Sequence, residues 1–166
     1  MYKTLDLSGS IKIIISDFDG IFTDNSILIS EEGQTFKKLS YKDIMGVSIA
    51  KKNGLKVAIV SGDISPSIDF LAKRFGLEDI HQGVREKLPI VKSILEKYGI
   101  SQDEAVYLGD DVNDIESLKF AGYSVIPEQA NYKLKDIPGV QVSCCSAGDG
   151  LFRDVVDNVL EMKTVN

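Results

Sequence analysis

Residues 11–24, with the sequence IKIIISDFDGIFTD, constrain the fold of this chain most strongly. A run of apolar and small residues leads directly into Asp17, and Asp19 and Gly20 follow at once. Such a run, closed by polar residues and glycine, is typical of a buried strand in a parallel sheet. Ligands of these sheets bind beyond the carboxyl ends of the strands, so we expect both acids at the binding edge. Two carboxylates there repel each other by about 4 kcal/mol at ~4 Å and an effective dielectric constant of about 20, which favours a bound cation.

Strand and helix patterns alternate along the rest of the chain. Further strands are predicted at residues 55–60 and 105–108, and two more short strands at 123–126 and 139–142. Helices are predicted from an Asp43 N-cap through Lys52, from Ser65-Pro66 to Phe75, over about 88–98, from about Asn113 to Ala121, and over about 150–161. This alternation indicates an α/β fold, with a doubly wound, mostly parallel sheet flanked by helices and right-handed crossovers.

Residues 25–40 carry a different pattern, in which two β-prone segments flank Glu31-Glu32-Gly33. This pattern predicts a small β-hairpin flap that is too short to be a cap domain. No linker-like composition divides the chain, and no internal repeat is found. We therefore expect a single domain over residues 1–166, with the hairpin flap at about 25–40 and a C-terminal tail at about 147–166.

The bulk composition argues against several classes of function. A net charge of −6 disfavours nonspecific nucleic-acid binding, and no apolar run is long enough for a membrane span. The first residues lack the succession of a charged, an apolar and a small-residue segment that is typical of a signal peptide. The adjacent Cys144 and Cys145 suit neither a disulfide framework nor a C-x-x-C zinc motif, so we expect inert or core thiols. We expect a cytoplasmic protein with no nucleic-acid or membrane partner.

Polar residues follow three of the predicted strands, where the fold brings them to one edge. Asp17 and Asp19 follow the first strand, Ser61 the second and Asp110 the third, while Lys87 lies near the start of a helix. Phosphoryl transfer needs this set, because it requires a nucleophile, a proton donor and positive charge around the transferring oxygens. The sequence therefore predicts one phosphoryl-transfer site assembled from distant segments.

Each residue of this set has a role in that chemistry. Asp17 attacks phosphorus and forms an aspartyl phosphate, and Asp19 protonates the leaving oxygen and then activates water. Ser61, a nearby backbone N–H and Lys87 bind the transferring oxygens. Asp17, Asp110 and a carbonyl of the loop, which we assign to Asp19, offer hard oxygen ligands for Mg²⁺.

Two further acids support this interpretation, and each motif also has a structural alternative. Asp114 is expected to hold Lys87, and Asp111 to bind a metal-bound water. Taken alone, the D-x-D-G sequence is typical of a turn, Lys87 of a solvated charge, and residues 109–114 of an N-capped helix. The catalytic interpretation is favoured because each motif follows a buried strand in the required order.

Two other classes of function stay open. Receiver-type phospho-acceptor modules also combine acids, a hydroxyl and a lysine around Mg²⁺. In those modules, however, the phosphorylated aspartate follows a middle strand, whereas Asp17 follows the first strand and Lys87 precedes the Asp110 strand. The other class is a non-catalytic oligomerising partner of a sugar-activating enzyme, against which the intact set of site residues argues.

In this order, the motifs resemble those of the haloacid dehalogenase-like (HAD) phosphatases over most of the chain. The matching segments are residues 17–24 (DFDGIFTD), 60–62 (VSG), 82–87 (QGVREK) and 109–114 (GDDVND). Residues 147–154 (AGDGLFRD) resemble the Gly-Gly-x-Gly-x-x-Arg-Glu tail of one subgroup. That subgroup comprises the cap-less 3-deoxy-D-manno-octulosonate 8-phosphate (KDO 8-phosphate) phosphatases and their deoxy-nonulosonate 9-phosphate phosphatase relatives.

The resemblance implies a Mg²⁺-dependent hydrolase of a small-molecule sugar acid phosphate in cell-surface polysaccharide or lipopolysaccharide biosynthesis. It implies the roles already given to Asp17, Asp19, Ser61, Lys87 and Asp110. It further implies a homotetramer, in which neighbouring hairpins pack together and a neighbour's surface helps to close each open site. The substrate-binding residues expected from it are Gly20, Thr23, Gly62, Asp63, Arg74 and Arg153.

Several positions depart from the family pattern. Ala147 replaces the first tail glycine, and Asp154 replaces the tail glutamate. Asp63 stands where the octulosonate phosphatases usually carry Arg. An acid at this position is more similar to the relatives that act on nine-carbon deoxy-nonulosonate 9-phosphates, and Arg74 stands where those relatives carry a basic residue. Asp63 is expected either to accept hydrogen bonds from substrate hydroxyls or an amide, or to cap the following helix.

The remaining charged residues have structural interpretations. Arg153 either binds substrate or pairs with Asp149 or Asp154 at the start of the last helix. His81 is expected to be structural. The pairs Lys37-Lys38 and Lys51-Lys52 are expected on solvated faces, with Lys37 or Lys38 also able to meet a neighbouring subunit.

Overall fold

Six parallel strands form the central sheet of the computed structural model, which describes residues 4–165 and side chains as far as residue 161. In chain order the strands are β1 (Ile13–Ser16), β2 (Leu28–Ile29), β3 (Thr35–Phe36), β4 (Lys56–Val60), β5 (Asp79–His81), β6 (Ala105–Leu108), β7 (Tyr123–Ile126) and β8 (Gln141–Val142). The parallel sheet has the order β5-β4-β1-β6-β7-β8, and β2 and β3 pair antiparallel as a separate hairpin.

Five α-helices cover the two faces of this sheet. They are α1 (Tyr41–Lys52), α2 (Pro66–Phe75), α3 (Lys87–Tyr98), α4 (Ile115–Phe120) and α5 (Leu151–Val165). Ile14 of β1 packs into the core that contains α1, α2 and α5, whereas Ile13 and Ile15 face the core beneath α3 and α4. This alternation follows from the two-residue period of a strand, and it explains why every position of β1 is buried. The predicted doubly wound α/β fold with a hairpin flap is confirmed.

The register of the sheet places the functional strand ends side by side. β1 lies between β4 and β6, and its last residue, Ser16, pairs with Ile59 and Leu108. The residues that follow β1, β4 and β6 therefore meet at the carboxyl edge of the sheet. Within the described part of the chain, none of the helices has the length and apolar character that crossing a membrane requires.

Some predicted element ends are wrong, and tertiary contacts explain why. Ser40, not Asp43, caps α1, because the Ser40 hydroxyl accepts the backbone N–H of Lys42. Asp43 is instead buried in the first turn, where it accepts the N–H of Gly150 at 2.9 Å and of Arg153 at 3.2 Å. Asp43 thus anchors the start of α5 from another helix, which local sequence does not reveal.

Two other segments also differ from the prediction. Residues 79–81, which are not among the predicted strands, form the edge strand β5. This strand has a single apolar residue, Ile80, and so lacks a hydrophobic pattern that would identify it. The helix expected from Asn113 begins at Ile115, after a 3₁₀ turn over Val112–Asp114.

Candidate active site

The carboxyl edge of the sheet holds a cleft of about 320 Å³. Side chains from all three predicted strand ends line it, and so does the loop that follows β1. The lining residues are Asp17, Asp19, Asn25, Ser61, Gly62, Asp63, Asp110, Asp111, Val112 and Asn113. The structure therefore brings together the distant segments from which the sequence predicts one site.

Lys87, the first residue of α3, forms the buried centre of the site. Its ammonium Nζ lies 2.6 Å from Asp17 Oδ2 and 2.8 Å from Asp114 Oδ1. Asp114 also accepts the Tyr107 hydroxyl at 2.7 Å and the backbone N–H groups of Asp110 and Asp111. The expected contact between Lys87 and Asp114 is present, and the fully engaged Asp114 fixes the lysine against Asp17.

The buried acids have strongly shifted pKa values. Burial raises the pKa of Asp17 to about 8; the Asp114 carboxylate adds to this rise and Lys87 opposes it. Burial also raises the pKa of Asp110 to about 6, although a hydrogen bond from Asn25 opposes the rise. Burial disfavours the charged form of Lys87, but Asp114 and Asp17 outweigh it, so the pKa of Lys87 is raised. The site therefore holds more buried negative charge than its own cation compensates.

A hard divalent cation fits the acids of this site. One carboxylate oxygen each of Asp17, Asp110 and Asp114 lies within 4.8 Å of the others. Both oxygens of Asp114 are engaged by other groups of the site, whereas Asp17 and Asp110 line the cleft. Asp17 and Asp110 are therefore the carboxylates accessible to a cation in the cleft. Hard oxygen donors of this kind suit Mg²⁺. Bound there, the ion would supply positive charge between the carboxylates and an anionic substrate.

Gly20 and Asn25 shape the loop around Asp110. Gly20 has a φ of +79°, and a Cβ built on it would lie 2.0 Å from Asp110 Oδ2, so only glycine allows this close approach. Asn25 has a φ of 64° and donates from Nδ2 to Asp110 Oδ2 at 2.5 Å. Asparagine tolerates the left-handed conformation better than most residues. Asn25 is absent from the predicted site residues, and this preference of asparagine was the one sequence signal that pointed to it.

The carboxylate of Asp19 is engaged by two other side chains and is not one of the three clustered acids. Its Oδ1 accepts the Thr23 hydroxyl at 3.0 Å, and its Oδ2 accepts Lys37 Nζ at 2.7 Å. Lys37 also contacts Asp63 Oδ2 at 2.7 Å, and its side chain is 10% exposed. The prediction of a solvated Lys37 is therefore wrong, because the hairpin folds this lysine back over the cleft.

The family model of the haloacid dehalogenase-like hydrolases matches residues 40–122, which are half of the chain. The chain belongs to this hydrolase family. The phosphatase KdsC of Escherichia coli (strain K12), which acts on 3-deoxy-D-manno-octulosonate 8-phosphate, is 29% identical over 152 residues, covering 91% of this chain and 80% of that protein.

Solved structures of the same enzyme type share the fold of this haloacid dehalogenase-like hydrolase. The Moraxella catarrhalis 3-deoxy-D-manno-octulosonate 8-phosphate phosphatase, in complex with magnesium, phosphate and KDO, matches with a TM-score of 0.88 and 28% identity, covering 94% of this chain and 89% of that chain. The cobalt-bound Haemophilus influenzae enzyme matches with a TM-score of 0.88 and 25% identity, covering 96% and 92%. The predicted membership of this superfamily is confirmed.

The second motif of the hydrolase lies where the prediction places it. Ser61 is buried at the end of β4, and its hydroxyl accepts the backbone N–H of Asp63 at 3.2 Å. Gly62 lines the cleft, and a Cβ there would make only ordinary contacts. Ser65, not Asp63, caps α2, so the capping alternative for Asp63 is wrong. Lys37 holds the pKa of Asp63 below its usual value, although burial opposes this.

Some residues expected to bind substrate do not face the cleft of their own chain. Thr23 is buried and supports Asp19. Arg74 lies in the last turn of α2, with its guanidinium carbon 5.7 Å from the Phe70 and Phe75 ring centres. Because α2 begins beside the cleft and a ten-residue helix is ~15 Å long, Arg74 is remote from the site.

Two further predicted residues have observed partners of their own. Arg153 pairs through Nε with both Asp157 carboxylate oxygens at 2.8 Å, so the expected pairing with Asp149 or Asp154 is wrong. Asp111 lines the cleft, and its Oδ1 accepts the N–H of Val112 and the side-chain amide of Asn131. Asp111 thus supports the loop around the proposed metal ligands.

Proposed function

We propose that this hydrolase is a Mg²⁺-dependent phosphatase of a 3-deoxy-2-ulosonic sugar acid phosphate, either KDO 8-phosphate or a deoxy-nonulosonate 9-phosphate. The observation that carries the proposal is the arrangement around Asp17. Asp17 directly follows β1, its carboxylate contacts Lys87 at 2.6 Å, and it lies beside Asp110 in an open cleft. The names and bound molecules of the relatives support the substrate class.

The proposed reaction has two steps that use the residues of the site. In the first, the Asp17 carboxylate forms a bond to phosphorus while the bond from phosphorus to the sugar oxygen breaks, and Asp19 gives that oxygen its proton. In the second, Asp19 takes a proton from water, which attacks phosphorus and releases phosphate and free Asp17. Lys87 and Ser61 bind the phosphoryl oxygens throughout, where fixed donors stabilise the growing charge.

Lys37 explains why an acidic substrate suits this site. Its ammonium contacts the carboxylates of both Asp19 and Asp63. A substrate carboxylate would offer this ammonium another partner, and Asp19 would then be free to hydrogen-bond to the leaving oxygen. A second cleft of about 340 Å³, between the hairpin and the start of α2, shares Asp63 with the first and offers room for the sugar acid.

The exposed hairpin supports the proposed homotetramer. Its apolar side chains are unusually exposed for a soluble surface: Ile27 is 49% exposed, Leu28 75%, Ile29 65% and Phe36 54%. Contiguous apolar surface of this kind marks protein interaction sites. We propose that hairpins of neighbouring subunits pack together, and that the enzyme acts in cell-surface polysaccharide biosynthesis.

Phosphate release from KDO 8-phosphate, measured with Mg²⁺ and with a chelator, tests the proposed function. We expect release only with Mg²⁺, and its loss in Asp17→Asn with an unchanged circular dichroism spectrum. Asp136→Asn, a change of the same type at an exposed position, is the matched control and should keep full activity. Turnover by Asp17→Asn above a trace would contradict the mechanism. An aspartyl phosphate that lasts for hours would favour a receiver module, and inactivity toward a panel of sugar phosphates would favour a non-catalytic partner.

Asp63 offers a test of the chain length of the substrate. We expect Asp63→Arg to shift the ratio of kcat/KM values toward the eight-carbon KDO 8-phosphate and away from nine-carbon deoxy-nonulosonate 9-phosphates. The physical reason is that arginine would pair with the carboxylate of the smaller acid, whereas the native acid accepts hydrogen bonds from hydroxyls or an amide. An unchanged ratio would show that Asp63 does not select the substrate.

A further inference from the structure

A second group of potential metal ligands lies outside the cleft, in the loop between β8 and α5 and in the first turn of α5. The thiols of Cys144 and Cys145 and the carboxylate of Asp154 each place one ligand atom within 4.8 Å of the other two. Cys144 is exposed, so the group is accessible from solvent. The proposed phosphatase chemistry uses none of these three residues.

Neighbouring groups hold the Asp154 carboxylate in position. Its Oδ2 accepts the Ser143 hydroxyl at 2.5 Å, and its Oδ1 accepts the Asn158 side-chain amide at 3.0 Å. The Ser143 hydroxyl also accepts the backbone N–H of Cys145 at 3.0 Å. Neutral donors that orient a ligand in this way are typical of the outer shell of metal sites.

The pairing of nearby charges favours a cation beside Asp154. Two positively charged side chains of α1 and α5 are engaged by other acids: Lys42 pairs with Asp149 at 2.8 Å, and Arg153 pairs with Asp157. The Asp154 carboxylate receives hydrogen bonds from neutral groups instead. A divalent cation would compensate this carboxylate and the thiolates that form when the cation binds.

The ligand types identify the class of cation. Thiolates bind soft or borderline cations such as Zn²⁺ and Cd²⁺ and do not suit Mg²⁺. With zinc–sulfur bonds of about 2.3 Å, two sulfurs of a tetrahedral site lie ~3.8 Å apart, so the group needs only a small contraction. Two sulfurs, one carboxylate oxygen and one water complete four-fold coordination.

We propose that Cys144, Cys145 and Asp154 bind one thiophilic divalent cation, distinct in position and in ligand chemistry from the Mg²⁺ site. The loop that carries the two cysteines is fixed at both ends. Ser143 N–H donates to Ile126 O at 3.0 Å, and Gly148 N–H donates to Ile21 O at 2.9 Å. Ligands on a fixed loop lose little conformational freedom when the cation binds.

Titration of the full-length protein with Cd²⁺, in the presence of saturating Mg²⁺, tests this proposal. We expect the ultraviolet thiolate-to-cadmium charge-transfer band to saturate at one Cd²⁺ per chain. Release of about two protons per Cd²⁺ should accompany it, since thiols must lose their protons to bind. Asp17→Asn should give the same band, because Asp17 belongs to the other site.

Variants of two of the three ligands decide the outcome. Changes to the outer shell of a metal site typically lower metal affinity by ~10–100-fold, and loss of a direct ligand should lower it at least as much. We therefore expect Cys144→Ser and Asp154→Asn each to weaken Cd²⁺ binding by more than ~10-fold. Asp149→Asn, an exposed acid of the same loop, is the matched control. Because Cys144 is exposed, Cys144→Ser should keep its fold and its phosphate release. Absence of the band in the parent protein, or parental affinity in either Cys144→Ser or Asp154→Asn, would overturn the proposal.

Discussion

Asp110→Asn should stabilise the metal-free protein at neutral pH and remove its response to Mg²⁺. Asp110 is 8% exposed, and its pKa rises from 3.8 to about 6, chiefly because of burial. The folded state therefore holds the Asp110 proton more tightly than the unfolded state does. Stability from this group is present below pH ~4 and is lost as the pH rises to about 6.

The size of the effect follows from the pKa shift. At ~1.4 kcal/mol per pKa unit, the ionised Asp110 costs up to about 3 kcal/mol above pH ~7. Asparagine removes this charge and keeps an oxygen that can accept the Asn25 amide, while its own N–H groups need partners. We therefore expect a gain of about 1–3 kcal/mol, which corresponds to roughly 2–12 °C in Tm for a chain of this size.

Thermal unfolding at pH 7.5 and pH 4.5, with EDTA or with Mg²⁺, measures this prediction. The gain over the parent should be present in EDTA at pH 7.5 and much smaller at pH 4.5, where the parent Asp110 is already protonated. Mg²⁺ should raise the Tm of the parent and leave the variant unchanged. The exposed Asp136→Asn serves as the control and should match the parent. A variant less stable than the parent in EDTA at pH 7.5, or a gain independent of pH, would refute the reasoning.

Two further predictions concern the lysines of the site. Lys87→Met leaves Asp17 and Asp114 buried without their cation, so it should lower the free energy of unfolding, measured in urea, by about 3–5 kcal/mol. A loss below ~1 kcal/mol would show that the two ion pairs of Lys87 do not stabilise the fold. Lys37→Met should lower kcat/KM for the sugar acid phosphate by ~10–100-fold, because a charged hydrogen bond contributes about 1.5–3 kcal/mol. Turnover of p-nitrophenyl phosphate, which has no carboxylate, should change by less than ~3-fold, and equal losses for both substrates would contradict the proposed role of Lys37.

The parts of the fold that local pattern determines were predictable from the sequence. The apolar run before Asp17 and the strands before Ser61 and Asp110 have the continuous burial of a parallel sheet, so their ends had to converge. The edge strand β5 lacks such a pattern, because its three residues include only one apolar side chain. The buried Asp43 was equally hidden, since its hydrogen bonds go to a helix more than 100 residues away in sequence.

The position of Lys37 depends on the path of the hairpin, which no local pattern specifies. The hairpin strands β2 and β3 have only two residues each, and their apolar residues are exposed. Hydrophobic burial therefore does not determine where Lys37 points; its two carboxylate partners do. The homotetramer, the cytoplasmic location and the single-domain organisation stay predictions.

The distribution of lysines among the acids indicates where the cation of the site belongs. Lys87 contacts Asp17 at 2.6 Å, and Lys37 contacts Asp19 at 2.7 Å. Asp110 accepts the neutral amide of Asn25, and its pKa is raised chiefly by burial. Since a buried carboxylate without a cation is unfavourable, the missing positive charge is needed beside Asp110, on the side that Asp17 also faces. With Asp17 and Asp110 as its two carboxylate ligands, one Mg²⁺ would neutralise Asp110 and bring phosphate to Asp17 at the same time.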